Sequence, residues 1–148
     1  MESDWKELIE LLQSHGVEFI VVGAHALAFF GRPRFTEDLD LFLRKSPQNG
    51  QLLRAALAEF GIPISPQKTD QLMTQDRQML VLGHEPHAVD LLNFLDGVDF
   101  ESAWNNKVSG AILGTKTWFI SKEDFVKTKQ ASGRKKDLLD LELLDEMN

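Results

Sequence analysis

The sequence contains no cysteine, which excludes a disulfide framework, a thiolate zinc site and a cysteine nucleophile. It also lacks an apolar run of membrane-spanning length. The longest run, from Phe19 to Phe30, is interrupted by Gly23 and His25 and is shorter than the roughly 20 residues that a spanning helix needs. The opening residues, MESDWKELIELL, do not follow the basic and then apolar pattern of a secretory signal. We therefore expect a soluble, cytoplasmic protein without a membrane partner.

The sequence also lacks an excess of positively charged residues. The chain has 16 basic and 23 acidic residues, and its formal net charge is −7. As a whole it repels phosphate backbones, so a non-specific nucleic-acid-binding function is disfavoured. Local clusters of basic residues remain able to bind a polyphosphate, because the distribution of charge matters more than its sum.

What is present is typical of one ordinary globular domain. The chain has 148 residues, of which 43% are hydrophobic and 26% are charged. A chain of this length buries on the order of two thirds of its unfolded surface without covalent cross-links. No internal repeat or linker is visible, so we expect a single domain over residues 1–148.

Apolar periodicity and turn residues predict alternating helices and strands along the chain. The predicted helices cover residues 4–15, 24–30, 47–60, 122–130 and 135–147. The predicted strands cover residues 17–22, 38–43, 79–82 and 88–94 and short segments within 107–120, whereas residues 61–75 are expected to form mainly loop. This order predicts an α/β or α+β fold, in which helices flank one small mixed sheet and further helices lie at the C-terminal end.

Two aspartates in the segment DLDLFL carry the first candidate chemistry. Asp38 and Asp40 are two residues apart in a predicted strand, so their side chains point to one face, roughly 7 Å apart along the backbone. Two carboxylates on one face repel each other unless a cation or a proton lies between them. Mg²⁺ and Mn²⁺ prefer such oxygen ligands. The alternative is a solvated strand face, or an edge strand whose charges prevent aggregation.

A third aspartate, Asp90, lies in the apolar segment HAVDLLNFL. It would join Asp38 and Asp40 if the two strands were neighbours in the sheet. Three carboxylates around two cations form the arrangement that two-metal phosphoryl transfer requires, in which one ion activates the attacking oxygen and the other stabilises the leaving pyrophosphate.

Gly23 lies where a predicted strand turns into a short helix. A glycine at such a turn lets backbone N–H groups approach a phosphate closely. A simple tight turn is the alternative. The sequence contains neither G-x-G-x-x-G nor G-x-x-x-x-G-K-[ST], so a dinucleotide-binding fold and a P-loop are not supported.

The stretch VVGAHALAFFGRPRFTEDLDLFL, followed by Asp90, resembles the DNA polymerase β-like nucleotidyltransferase superfamily. The pattern of that family is an apolar run, Gly followed by Gly or Ser, a spacer, Asp-x-Asp or Asp-x-Glu, and a later third Asp. The chain looks most like small bacterial relatives of the abortive-infection (type IV toxin–antitoxin) toxins and of the antibiotic nucleotidyltransferases. Those relatives commonly carry a Gly-Arg-x-x-Asp segment near the C terminus, which GRKKD at residues 133–137 matches. The resemblance covers nearly the whole chain.

The resemblance implies that Asp38, Asp40 and Asp90 are catalytic and bind Mg²⁺ or Mn²⁺, and that Asp90 is also the general base. It implies that Gly23 and Ala24 form the turn that holds the β- and γ-phosphates of a nucleotide. Ala24 departs from the usual Gly or Ser, which removes a hydroxyl contact to the triphosphate but keeps the backbone N–H. Because all three carboxylates are present, we expect an active enzyme.

Further nucleotide contacts are expected from basic and hydroxyl side chains. Arg32, Arg34 and Thr36 directly precede the carboxylates and are placed to hold a nucleotide phosphate or the acceptor. The alternative is a solvated loop whose cations partly neutralise nearby acids. Lys129 and Arg134 belong to a basic cluster within residues 127–136. They are candidates for phosphate contacts or for bracing the sheet, and a solvated face is the alternative.

Other residues favour structural roles. His84 and His87 flank a turn but have no third ligand, so they form a weak zinc site. His25 either reaches the site or is a hydrogen-bonded histidine under the sheet. The three tryptophans are too dispersed along the chain to indicate a stacking platform.

The predicted function is metal-dependent transfer of a nucleoside monophosphate from an NTP to an acceptor hydroxyl, with release of pyrophosphate. The acceptor stays open between a small molecule, a tRNA end and a protein. A homodimer or a cognate antitoxin-like partner is a further expectation, since either would supply a wall to an open site. Two alternatives remain: a non-catalytic partner-binding module, such as one member of a toxin–antitoxin pair, and metal-dependent hydrolysis of a phosphate ester.

Overall fold

The computed structural model describes residues 2–31, 38–84 and 87–145, which form one mixed six-stranded sheet and seven helices. The helices are α1 (Glu2–Ser14), α2 (Ala24–Phe29), α3 (Pro47–Phe60), α4 (Pro66–Thr74), α5 (Phe100–Asn106), α6 (Lys122–Ser132) and α7 (Lys135–Asp145). The strands are β1 (Phe19–Val22), β2 (Leu39–Leu43), β3 (Met79–Leu82), β4 (Val89–Leu92), β5 (Val108–Ile112) and β6 (Thr115–Phe119). The predicted α/β class, with helices at the C-terminal end, is confirmed.

The strands lie in the order β3-β4-β2-β1-β6-β5. Strand β1 pairs antiparallel with β2 and parallel with β6, and β2 pairs parallel with β4. The outer strands β3 and β5 are each antiparallel to their neighbours. The segments that carried the candidate chemistry, β1, β2 and β4, are therefore adjacent strands inside the sheet.

Apolar stripes on the helices and the inner strands build the hydrophobic core. In α1 the core residues Trp5, Leu8 and Leu12 recur at helical spacing and are buried. All four residues of β1 are buried, as expected for a strand covered on both faces. No helix within the described ranges has the length and apolarity needed to cross a membrane.

The expectation that residues 61–75 form mainly loop is wrong, because α4 occupies Pro66–Thr74. The Ser65 side chain accepts a hydrogen bond from the Lys68 N–H at 3.2 Å, and Pro66 stands at the start of the helix. This is the same Ser-Pro start signal that correctly marked α3 at Ser46 and Pro47. The segment is polar and its helix is only nine residues long, so its few apolar side chains, such as the buried Leu72 and Met73, form too short a stripe to be distinctive.

A second helix, α5, was not predicted. It is only seven residues long, too short for a periodic pattern to emerge. The signal available in the sequence was Asp99, whose carboxylate accepts a hydrogen bond from the Ser102 N–H at 2.7 Å and so caps the helix.

Candidate active site

Four residues stand in register across four neighbouring strands. Val22 on β1 is opposite Asp40 on β2, Asp40 is opposite Asp90 on β4, and Asp90 is opposite Val81 on β3. Residues directly opposite each other in a sheet project from the same face. The fold therefore brings Asp40 and Asp90, 50 positions apart in sequence, side by side between two valines.

Gly23 approaches the Asp40 carboxylate so closely that it leaves no room for a side chain. It follows β1 directly, has a positive φ of 72° and precedes α2. A Cβ built on Gly23 would collide with Oδ2 of Asp40 and lie 3.1 Å from its Cγ. Ala24 is buried at the start of α2. The turn is thus specified by both the backbone conformation and the neighbouring carboxylate.

Asp40 and Asp90 form a hydrogen-bonded carboxylate pair, and the pKa of each is raised. Burial, the hydrogen bond to Asp90 and the negative charge of Asp90 together raise the pKa of Asp40 to about 7. Burial also raises the pKa of Asp90, although the hydrogen bond with Asp40 partly offsets this. The Lys136 ammonium lowers both pKa values, but not enough to restore two ordinary carboxylates.

Asp38 lies one residue before β2 and is oriented toward β4. Its Oδ1 accepts a hydrogen bond from the Ala88 N–H at 3.1 Å. Its negative charge still contributes to raising the pKa values of Asp40 and Asp90. Within residues 2–31, 38–84 and 87–145, no three metal-ligating side chains converge in this conformation.

The oxygen ligands nevertheless fit a divalent cation. Two adjacent carboxylates that must share a proton form a site in which a cation can replace that proton. The donor set consists of carboxylate oxygens, the chemistry that Mg²⁺ and Mn²⁺ prefer. The open cleft beside the pair leaves room for the waters and phosphate oxygens that complete the coordination of such ions.

The corner between α6 and α7 is held by a buried carboxylate that belongs to the GRKKD segment. Asp137 is fully buried. Its Oδ1 accepts a hydrogen bond from Lys129 Nζ at 2.9 Å, and its Oδ2 accepts one from Arg134 Nε at 2.8 Å and another from the Ser132 hydroxyl. Asp140, also buried, contacts the same ammonium at 3.3 Å.

These contacts outweigh the cost of burying the Asp137 charge. Burial acts to raise the pKa of Asp137, but the hydrogen bonds from Ser132, Lys129 and Arg134 prevail and lower it to about 2. Lys129 and Arg134, considered as candidates for bracing the sheet, instead hold the corner between α6 and α7 through Asp137. Their direct contact with a nucleotide stays a prediction. Sequence reasoning did not single out Asp137 and Lys136, although both lie in the motif that it quoted.

The carboxylate pair and the α6–α7 corner line one cleft of about 510 Å³, a size typical of small-ligand sites. Its acidic and cationic lining residues are Asp40, Arg77, Asp90, Asp96, Lys129, Arg134, Lys136 and Asp137. Gly23 and Val22 also line it. Of the other predicted site residues, Arg32, Arg34 and Thr36 lie outside the residues that the structure describes.

Two of the three tryptophans, which are far apart in the sequence, contact the same lysine. The Lys107 ammonium lies 4.0 Å from the ring centroid of Trp104 and 4.6 Å from that of Trp118. Trp5 makes its contacts elsewhere: its indole N–H donates a hydrogen bond to the His87 carbonyl at 3.2 Å. Its ring also packs edge-on against His25.

Gly23→Ala is expected to damage both folding and the site. The substitution places a methyl group against the Asp40 carboxylate and forces a non-glycine residue into a left-handed conformation, so we expect a loss of about 2 kcal/mol or more in unfolding free energy. Urea denaturation measures this loss of unfolding free energy. Gly61→Ala is the matched control, because Gly61 also has a positive φ but no atom lies near its Cβ position. An equal loss in both variants would contradict a specific conflict with Asp40.

Comparison with protein families gives a match over the whole length. The sequence profile of the family described as "Nucleotidyl transferase of unknown function (DUF2204)" matches residues 1–148. No curated protein matches the chain. The three sequence motifs that resemble nucleotidyltransferases, namely the Gly23 turn, the aspartates and the GRKKD segment, all contribute residues to the cleft. The chain belongs to this family of nucleotidyl transferases of unknown function.

Proposed function

We propose that the chain catalyses metal-dependent transfer of a nucleoside monophosphate from an NTP to an acceptor hydroxyl, with release of pyrophosphate. The observation that carries this proposal is the position of Asp40 directly opposite Asp90, beside the Gly23 turn and in one cleft with the cations of the α6–α7 corner. Family membership supports the transfer of a nucleotidyl group. The need for a metal and the identity of the transferred group are part of the proposal.

Asp40 and Asp90, with Asp38 beside them, are the residues that would hold Mg²⁺ or Mn²⁺. When bound, the ions neutralise the charge that develops on the transferring phosphoryl group. A cation at this position also removes the need for a shared proton. Asp90 is then ionised, and a carboxylate oxygen of Asp90 would accept the proton of the acceptor hydroxyl.

Gly23 and Ala24 form the turn that lies against the Asp40 carboxylate and begins α2, and we assign the β- and γ-phosphates to this turn. Lys136 adds a positive charge that acts on both Asp40 and Asp90. Lys129 is engaged by Asp137 and Asp140, so its contribution is to fix the corner from which Lys136 extends. Arg134 is largely exposed despite its bond to Asp137, which leaves its guanidinium able to contact a phosphate.

Thermal-shift titration with Mg²⁺ or Mn²⁺ and each of the four NTPs tests the proposal, because a ligand that binds only the folded state raises the melting temperature. We expect a metal-dependent rise with at least one NTP. The rise should be absent in the Asp38→Asn/Asp40→Asn double variant and retained in Asp70→Asn, which changes an exposed carboxylate on α4. No rise with any NTP would contradict the proposal and favour the non-catalytic partner-binding module.

A further inference from the structure

The cleft continues beyond Asp90 onto the outer strand of the sheet. Since β3 lies next to β4, the residues of β3 that share a face with Asp90 are Val81, directly opposite it, and Met79, two positions away and opposite Leu92. Phe94 and Arg77 complete this surface. We call these five residues, Arg77, Met79, Val81, Leu92 and Phe94, the β3 wall.

The β3 wall is apolar and accessible. Met79 is 55% exposed and Val81 is 49% exposed, although both are large hydrophobic side chains on the same face as the carboxylate pair. Strand β3 contains no charged residue and no proline, the devices by which outer strands normally avoid unwanted contacts. Exposed apolar surface next to a polar cleft commonly marks a ligand-binding surface.

The β3 wall contains one cation, Arg77, which forms an ion pair with an acidic residue. The Arg77 guanidinium forms an ion pair with Asp96 at 3.0 Å and stacks 4.3 Å from the centroid of the Phe94 ring. Its backbone has a φ of 54°, an unfavourable conformation for a non-glycine residue, and such strain tends to be retained at binding sites. The wall therefore offers mainly apolar and flat surfaces, and its single cation is held in an ion pair with Asp96.

On its opposite side, the carboxylate pair faces a backbone turn rather than an apolar wall. There, Asp40 lies against the Gly23 turn, to which we assign the β- and γ-phosphates. In a displacement at phosphorus, the attacking and leaving oxygens lie roughly in line. If the pyrophosphate leaves over the Gly23 side, the attacking hydroxyl approaches from the side of Asp90, over the β3 wall.

We infer that the β3 wall is the acceptor subsite, and that it selects a small uncharged alcohol whose apolar or aromatic part lies on Met79, Val81 and the Arg77–Phe94 stack. This inference rests on the proposed function and adds the chemical class of the acceptor. An RNA end is disfavoured as acceptor because its successive phosphates need several cations, and the β3 wall contains one, which is paired with Asp96.

The proposed transfer forms one bond to phosphorus and breaks another. The acceptor oxygen forms a bond to the α-phosphorus of the NTP, and the bond from that phosphorus to the α,β-bridging oxygen breaks. The electron pair of the broken bond leaves with pyrophosphate, and the hydroxyl proton passes to the Asp90 carboxylate and then to solvent. The products are a nucleoside monophosphate ester of the alcohol and pyrophosphate.

The experiment compares three acceptor probes with the full chain, Mg²⁺ and the NTP that gives the largest thermal shift. The probes are 2-phenylethanol, which is uncharged and aromatic, glycerol, which is uncharged and polar, and glycerol 3-phosphate, which is anionic. Mass spectrometry quantifies the nucleotidyl ester of each, and a short oligoribonucleotide is tested in parallel. We expect 2-phenylethanol to be modified at least about tenfold faster than the other acceptors.

Two variants locate the effect. Met79→Asp should lower transfer to 2-phenylethanol about tenfold and leave the NTP-induced thermal shift unchanged. Leu139→Asp, which introduces the same charge at an equally exposed position on α7, should change neither. Preference for glycerol 3-phosphate or the oligoribonucleotide, no preference for 2-phenylethanol, or an unaffected Met79→Asp variant would each overturn the inference while the NTP shift still supports the proposed function. Absence of both the NTP shift and any transfer would overturn the proposed function itself.

Discussion

Asp40→Asn is expected to abolish transfer while making the metal-free protein more stable. Loss of one preorganised electrostatic group typically costs about 100-fold or more in rate, and here the group is also a proposed metal ligand. Above pH 7, however, the native protein holds two adjacent, partly buried negative charges, and the amide removes one of them. We expect a gain on the order of 2 kcal/mol at pH 8, or about 4–8 °C in Tm.

The raised pKa of Asp40 determines at which pH the Asp40→Asn variant is more stable than the native chain. The pKa of Asp40 is about 7 in the folded state and 3.8 in the unfolded chain, so the folded state binds the extra proton between these values. The resulting stabilisation is complete below about pH 4 and is lost as the pH rises through 7. The stability difference between Asp40→Asn and the native chain should therefore be smallest below about pH 4, intermediate at pH 5 and largest at pH 8.

Calorimetry in the presence of a chelator measures this difference, and pyrophosphate release measures the loss of rate. Asp70→Asn serves as the control for exchange of an exposed carboxylate and should alter neither quantity. Saturating Mg²⁺ should stabilise the native chain and not the variant, which narrows the gap between them. Equal stabilities at pH 8 would contradict the strained carboxylate pair, whatever the activity.

Asp137→Ala is expected to have the opposite effect on stability and to lower the unfolding free energy by about 3–5 kcal/mol. The substitution leaves Lys129, whose side chain is only 12% exposed, without its shorter ion pair. It also frees Arg134 and the Ser132 hydroxyl from the acceptor that joins α6 to α7. Urea denaturation near pH 7 should show the loss.

The matched control for this prediction is Asp145→Ala, which removes an exposed carboxylate at the end of the same helix. Because the pKa of Asp137 is lowered to about 2, its stabilising effect is present above about pH 4 and disappears as the pH falls toward 2. The native chain and Asp137→Ala should therefore converge in stability in acid. A loss below 1 kcal/mol at pH 7 would show that the buried pairs contribute little.

The strands that carry the carboxylates were predictable because each has a strong local signal. The run at residues 19–22 is uniformly apolar, and DLDLFL alternates before it becomes apolar. The adjacency of Asp40 and Asp90 was conditional on the strands being neighbours, which local patterns do not encode. The structure supplies it through the parallel pairing of β2 with β4.

The cationic side of the cleft was less predictable for a physical reason. The sequence shows a basic cluster, but which cations are neutralised depends on the angle between α6 and α7. That angle brings Lys129 to Asp137 and Asp140, eight and eleven positions away. Lys136 instead lines the cleft, and its charge lowers the pKa values of both carboxylates of the pair. Neither the helical period nor the net charge distinguishes these two lysines.

The order of the strands also has a consequence for synthesis of the chain on the ribosome. Strand β1 is central, yet its parallel partner β6 is made about 100 residues after it, as the pairing of Val21 with Phe119 requires. At about 5–20 residues per second, one edge of β1 waits about 5–20 seconds for its neighbour. During that interval the hydrophobic run FIVV is open to incorrect pairing, so nascent chains should depend on chaperones most strongly just before β6 emerges.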